Sequence, residues 1–263
     1  MTSADGRPRR GYLATREGQV HYRRAGAGAA DAPPLVCLHP TPFSSRFYAE
    51  FQRTVTGVET LALDTPGFGE SDPVATVTIE ALANPLAEAL AGLEGPVDLL
   101  GFHTGCLLAL EIASAAPERI RRLVLVDAPV LEPAERQAAL ARTLAAYEVR
   151  RARFEALVQK RVPARPVAGI ERELELLADE VAGSAAAAAV FTAAFGYEPR
   201  SRFERIQQPV LCIATHGPLA GPTQAVAAQL RDARLERLAD VSAPVFQAHS
   251  AAIAAVVTPF VTT

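Results

Sequence analysis

Gly101-Phe102-His103-Thr104-Gly105 is the stretch from which the rest of this chain can be read. It joins an apolar run, Val97 to Gly101, to a helical pattern beginning at Thr104. A short continuous apolar run reads as a buried strand, and the 3.6-residue period after it as a helix. A glycine two residues before and two after His103 relieves crowding where strand turns sharply into helix. The middle residue of this turn is His103. Its side chain is an imidazole, which can change charge near neutral pH.

The same alternation extends on both sides. Tyr12–Thr15 and Gln19–Arg24 read as strands around the turn Glu17-Gly18, and Pro34–His39 as a short apolar strand ending in His39-Pro40-Thr41-Pro42. A helix follows, capped by Ser44 or Ser45. Val58–Leu63 is the next buried strand and leads into Asp64-Thr65-Pro66-Gly67-Phe68-Gly69-Glu70-Ser71-Asp72. Thr78–Leu93 and Thr104–Ala116 read as helices, and Arg122–Val126 as a strand ending at Asp127-Ala128-Pro129. Continuous apolar strands separated by helices define an α/β protein whose mostly parallel sheet is covered on both faces.

The alternation stops at residues 130–205, which are helical in character. Leu140, Leu144, Tyr147, Phe154 and Leu157 fall near one helical face, and further helices are expected at Gly169–Val181 and Ser184–Phe195. The strand pattern resumes at Pro209–Thr215, then a helix at Thr223–Leu230, a strand at Leu235–Ala239 and a last helix near His249–Phe260. Residues 1–129 and 206–263 therefore read as one core, with residues 1–11 disordered and residues 130–205 a helical cap.

Composition narrows the classes. The chain has 263 residues, is 49% hydrophobic and carries a formal net charge of −3. That balance offers nothing to a nucleic acid or an anionic membrane surface. The polar, basic Met1–Arg10 lacks the apolar segment of a signal peptide, and no apolar run approaches the ~18 residues of a membrane span. The three cysteines, Cys37, Cys106 and Cys212, each sit in an apolar run and read as buried free thiols, so a cytoplasmic location is expected. Heavy use of alanine and arginine reads as compositional bias without functional content.

Four features together resemble the α/β-hydrolase family: the His39-Pro40 turn, the Asp64–Asp72 loop, the Gly101–Gly105 nucleophile elbow and Leu123-Val124-Leu125-Val126-Asp127. The resemblance covers about residues 12–263 and implies a helical cap after the sixth core strand. Gly-Phe-His-Thr-Gly also resembles a subgroup of hydrolase-like proteins with His-Thr at the elbow. The family's triad does not carry over. Its nucleophile position is His103. Its acid position falls at about Gly217 or Pro218, and its histidine position at Ser242-Ala243. Serine attack with histidine as base and an orienting acid cannot be written on these residues.

The resemblance still implies where chemistry would sit. His103 is the candidate acid or base, kept neutral at pH 7 by the positive end of the following helix. Asp127, ending the next strand, is the candidate that orients it. The Thr41 and Thr104 N–H groups mark an oxyanion hole. Ser44 and His216 are candidate pocket-mouth groups, and Tyr147 and Phe191 candidate roof residues, with Phe154, Phe195 and Tyr197 beside them. His39 is expected to bond locally, and His21 has no evident site. No metal-ligand spacing, phosphate loop or dinucleotide motif appears, so neither metal nor cofactor is expected.

Three functions fit. One is a cofactor-independent enzyme acting on a small, mainly apolar molecule by acid-base chemistry: cyclisation, isomerisation, elimination or C–C cleavage, as in secondary metabolism. The second is a non-catalytic ligand-binding or scaffold protein. The third is a hydrolase in which His103 and Asp127 activate water. The expected partner is a small molecule, with no nucleic acid or membrane, and the sequence allows a homodimer.

Overall fold

The computed structural model describes residues 8–28, 32–159 and 170–263. Eight strands form one sheet: β1 (Arg9–Thr15), β2 (Gly18–Ala25), β3 (Leu35–Leu38), β4 (Thr60–Leu63), β5 (Val97–Phe102), β6 (Ile120–Val126), β7 (Val210–Thr215) and β8 (Ala233–Leu238), in the order β1-β2-β4-β3-β5-β6-β7-β8. The β1–β2 and β2–β4 pairs are antiparallel, and all the others are parallel. Every residue of β3, β4, β5 and β7 is buried. That is the pattern expected of strands covered on both faces.

The helices are α1 (Ala49–Thr54), α2 (Ile79–Ala91), α3 (Thr104–Ala115), α4 (Pro133–Gln159), α5 (Ile170–Ala182), α6 (Ser184–Gly196), α7 (Ala220–Gln229), α8 (Val245–Ala248) and α9 (Ser250–Thr262). Apolar side chains of α2, α3 and α7 pack on one sheet face, and those of α1, α8 and α9 on the other. Thr78 caps α2 through its side chain, and Ser44 caps the 3-10 turn Ser45–Tyr48 that precedes α1.

Several expectations shift. Disorder was expected through residue 11, but Arg9–Gly11 belong to β1, where they pair with Tyr22–Arg24 of β2. Pairing with a covered strand holds this arginine-rich edge, which carries little apolar signal of its own. Residues 1–7 lie outside the described residues, as do the side chains of Phe154 and Leu157. Helix α7 starts at Ala220, earlier than Thr223, because Pro222 is tolerated in a first helical turn. The short α8 precedes the last helix.

Helices α4, α5 and α6 stand between β6 and β7. Arg172 of α5 donates to Glu50 (2.7 and 2.8 Å) and to the Arg46 carbonyl (2.6 Å). After α6, the Tyr197 hydroxyl and the Arg202 guanidinium (2.7 Å) both donate to Glu111 of α3. Arg136 of α4 pairs with Glu198.

The strand registers bring one edge of the sheet into line. Leu38 pairs with Gly101 and with Leu63, and Phe102 pairs with Val126. The turns after β3, β4, β5 and β6 therefore share the same carboxyl edge. The chain order reverses between β3 and β5, and such switch points open a crevice at the strand ends.

Candidate active site

The turn after β5 is held in a conformation few side chains adopt. His103 has φ 49° and ψ −118°, and α3 begins at the next residue. A residue held there costs about 1–3 kcal/mol. The strain is fixed by packing on both sides. A Cβ on Gly101 would lie 2.4 Å from the Gly105 carbonyl oxygen, and one on Gly105 would lie 2.1 Å from that of Leu38. The His103 N–H donates to Val126 O (3.2 Å), and its carbonyl accepts from the Cys106 N–H (2.8 Å).

The His103 ring lies 4.0 Å from the Phe102 ring, centroid to centroid, and makes no hydrogen bond among the described residues. It lines a cavity of about 820 Å³. Removal from water pushes its pKa down to about 4. The ring is therefore neutral at pH 7, with desolvation as the cause.

Asp127 shares the same strain, with φ 49°, and it ends the neighbouring strand. Its carboxylate, however, does not reach His103. It accepts from the Thr215 N–H (2.9 Å) and the Thr215 hydroxyl (2.6 Å), bridging β6 to β7. Burial raises its pKa, against the lowering effect of those two donors. The expected His103–Asp127 pair is not formed, because both carboxylate oxygens are already engaged.

Thr41 and Thr104 do come together at the cavity floor with His103. The Thr41 N–H, expected as an oxyanion-hole donor, instead donates to Thr104 Oγ1 (2.7 Å) and is filled, and the two hydroxyl oxygens are 3.1 Å apart. The remaining candidates divide. Phe191 and Phe195 line the cavity. Tyr147 does not: it is buried behind Phe191, with ring centroids 5.9 Å apart, and its hydroxyl donates to Glu180 O (3.0 Å). Ser44 lies away from the cavity because its hydroxyl is bonded to Asp179 of α5. His216 is exposed outside the lining, its N–H bonded to Val241 O (2.6 Å). Tyr197 is taken up by Glu111.

The rest of the lining was not anticipated. Ala134, Ala138, Ala139 and Ala146 of α4 and Ala194 of α6 make much of the roof. Glu135, Arg142 and Thr143 share this α4 face. Arg142 has no ion pair among the described residues. The signal was present as the i, i+3, i+4, i+7 spacing of these positions. Alanine read as compositional bias concealed it. Pro218 and Pro222 close the side next to β7.

Two buried histidines support the frame. The Thr65 N–H donates to His39 Nε2 (2.9 Å), so Nδ1 carries the proton and donates to Pro40 O (3.1 Å). His21 Nδ1 lies 2.8 Å from Asp64 Oδ2. Burial alone would raise the Asp64 pKa. The bond to His21, with the Ser45 and Glu70 N–H groups at 2.6 and 2.8 Å, brings it down to about 2. Among the described residues no group of three His, Cys, Asp or Glu side chains could hold a metal ion. No single described helix is long and apolar enough to cross a membrane.

With this geometry in hand, the sequence matches the alpha/beta hydrolase family over residues 35–256, and the chain belongs to that family. Among proteins it resembles, a 2-hydroxy-6-oxononadienedioate/2-hydroxy-6-oxononatrienedioate hydrolase of Cupriavidus pinatubonensis is 32% identical over 120 residues, 42% of this chain and 40% of that protein. A haloalkane dehalogenase of Mycolicibacterium paratuberculosis is 31% identical over 119 residues, 43% of this chain and 39% of that protein. The chain thus spans about 40% of the length of these curated relatives. A solved hydrolase from Pseudomonas aeruginosa superposes with a TM-score of 0.71 at 25% identity, covering 97% of this chain and 98% of that one.

Proposed function

We propose that this hydrolase-family protein is an enzyme that moves a proton on a small, mainly apolar carbonyl compound, with His103 as the base and no bound cofactor. The observation that carries this reading is the strained His103, held by close backbone packing so that its unpartnered ring faces a largely apolar cavity. A strained non-glycine residue persists where its surroundings over-determine it, and such residues cluster at active sites. Below a cavity roofed by α4 and α6, the neutral imidazole takes the proton from the carbon next to the carbonyl. Negative charge moves to the carbonyl oxygen, which the α3 N-terminus and the threonine floor receive. In a β,γ-unsaturated carbonyl compound the charge also reaches the γ-carbon, and returning the proton there while the double bond moves into conjugation completes an isomerisation. If a leaving group departs from the neighbouring carbon instead, the same first step gives an elimination. Helices α4–α6 act in this reading as the cap.

The test is a screen of small carbonyl compounds in D2O, followed by proton NMR. Deuterium incorporation or product formation that disappears in His103→Ala supports the proposal. Turnover unchanged by that substitution sinks it. A serine-directed fluorophosphonate is expected to leave the elbow unlabelled. One further observation favours the non-catalytic binding reading: among the described residues no side chain hydrogen-bonds the His103 ring. That alternative predicts carbonyl compounds bound and released without exchange.

A further inference from the structure

We propose that the Thr41 hydroxyl is the group that receives the ligand's oxygen at this site, and that Thr104 is the residue that positions it. The proposal rests on reading the cavity as a ligand site. Its geometric basis is one chain of donors. The Thr41 amide can only donate, and Thr104 Oγ1 accepts from it at 2.7 Å. With that amide filled, the Thr104 hydroxyl proton turns to its one hydroxyl partner, Thr41 Oγ1, at 3.1 Å. Thr41 Oγ1 has then accepted a bond, and its own proton has no acceptor among the described residues. Both threonines line the cavity beside His103.

The amide of the turn after β3 therefore does not meet a ligand directly. Its polarity is passed through two hydroxyls, each bond strengthening the next. A hydroxyl at the end of such a relay rotates with the ligand, whereas an amide is fixed. The site consequently fits a carbonyl or hydroxyl oxygen whose position varies from one ligand to another. Thr104 has two roles in this arrangement: it closes the amide and it leaves the Thr41 proton as the outward donor.

Two measurements on the full chain test this. The first needs no ligand: amide hydrogen exchange at Thr41. Thr104→Ala is expected to speed exchange there at least about tenfold, the effect of losing one hydrogen bond, while Thr104→Ser leaves it protected. Equal exchange in wild type and Thr104→Ala overturns the relay. The second compares binding of acetophenone with α-methylstyrene, its isostere lacking the oxygen, followed by shifts of the His103 ring resonances. Wild type is expected to prefer acetophenone. Thr41→Val, whose methyl also shields the Thr104 hydroxyl, is expected to reduce that preference about threefold to tenfold. Thr41→Ser keeps it. Adding Thr104→Ala to Thr41→Val frees the amide and is expected to restore it. A preference unmoved by Thr41→Val overturns the role of Thr41. Binding of neither probe overturns the ligand-site reading, and the ligand role with it, while the exchange result stands by itself.

Discussion

The turns that end β5 and β6 share a positive φ and have opposite fates. His103 and Asp127 are the non-glycine residues with positive φ among those described, at 49° each, and they close adjacent strands. Asp127 spends both carboxylate oxygens on Thr215, so its strain is fastened by a bridge to the next strand. His103 has the same positive φ and no hydrogen-bond partner for its ring among the described residues, and it lines the cavity. Strain therefore does not mark a site unless the side chain it presents is left unspent.

The comparison can be broken in several ways. The largest expected effect is on turnover. His103→Ala should lower it by about a hundredfold or more, the usual size of a lost acid-base group, and Asp127→Asn should lower it far less. Kinetics on the first compound found to turn over would decide between the two turns, and equal losses would mean that Asp127 belongs to the chemistry. On stability the ranking reverses. Asp127→Ala should cost about 3 kcal/mol, because it leaves the buried Thr215 amide and hydroxyl without their acceptor. Urea unfolding measures this, and a cost under ~1 kcal/mol would show the bridge to be idle. His103→Gly should stabilise by about 1 kcal/mol as the strain is relieved, less glycine's entropic cost.

Acid titration separates the groups by window. The folded pKa of Asp64, about 2, lies below its unfolded value of 3.8, so its contribution is present above pH 3.8 and is lost as pH falls toward 2. The amount is about 2 kcal/mol in every variant that keeps Asp64. The folded pKa of His103, about 4, lies below its unfolded value of 6.5. Folding then excludes a proton that the unfolded chain binds, and stability falls between pH 6.5 and 4. Over the whole window this decline is about 3 kcal/mol, larger than the Asp64 effect, and comparing His103→Gln with wild type across that range isolates it.

What was legible in the sequence was whatever depends on neighbours along the chain. β5 was read to within one residue of its observed end, and the elbow is local too. What escaped depends on partners far away. Thr215, which holds Asp127, is separated from it by 88 residues. His21 looked unplaced because Asp64 lies 43 residues on. Ser44 was one of two residues read as the cap, and its bond to Asp179, 135 residues distant, was not visible. The roof was missed for a different reason. Apolar periodicity reports side chains that fill space, and the stripe on α4 encloses a cavity because its alanines do not.

In the proposed reading, that stripe places size selection and reactivity on separate parts of the chain. Lengthening Ala138 or Ala146 would trim the room above the floor without touching Thr41, His103 or Thr104. A lineage carrying this protein could thus fit its cavity to new molecules through single changes on one helix, with the strained turn beneath left as it is.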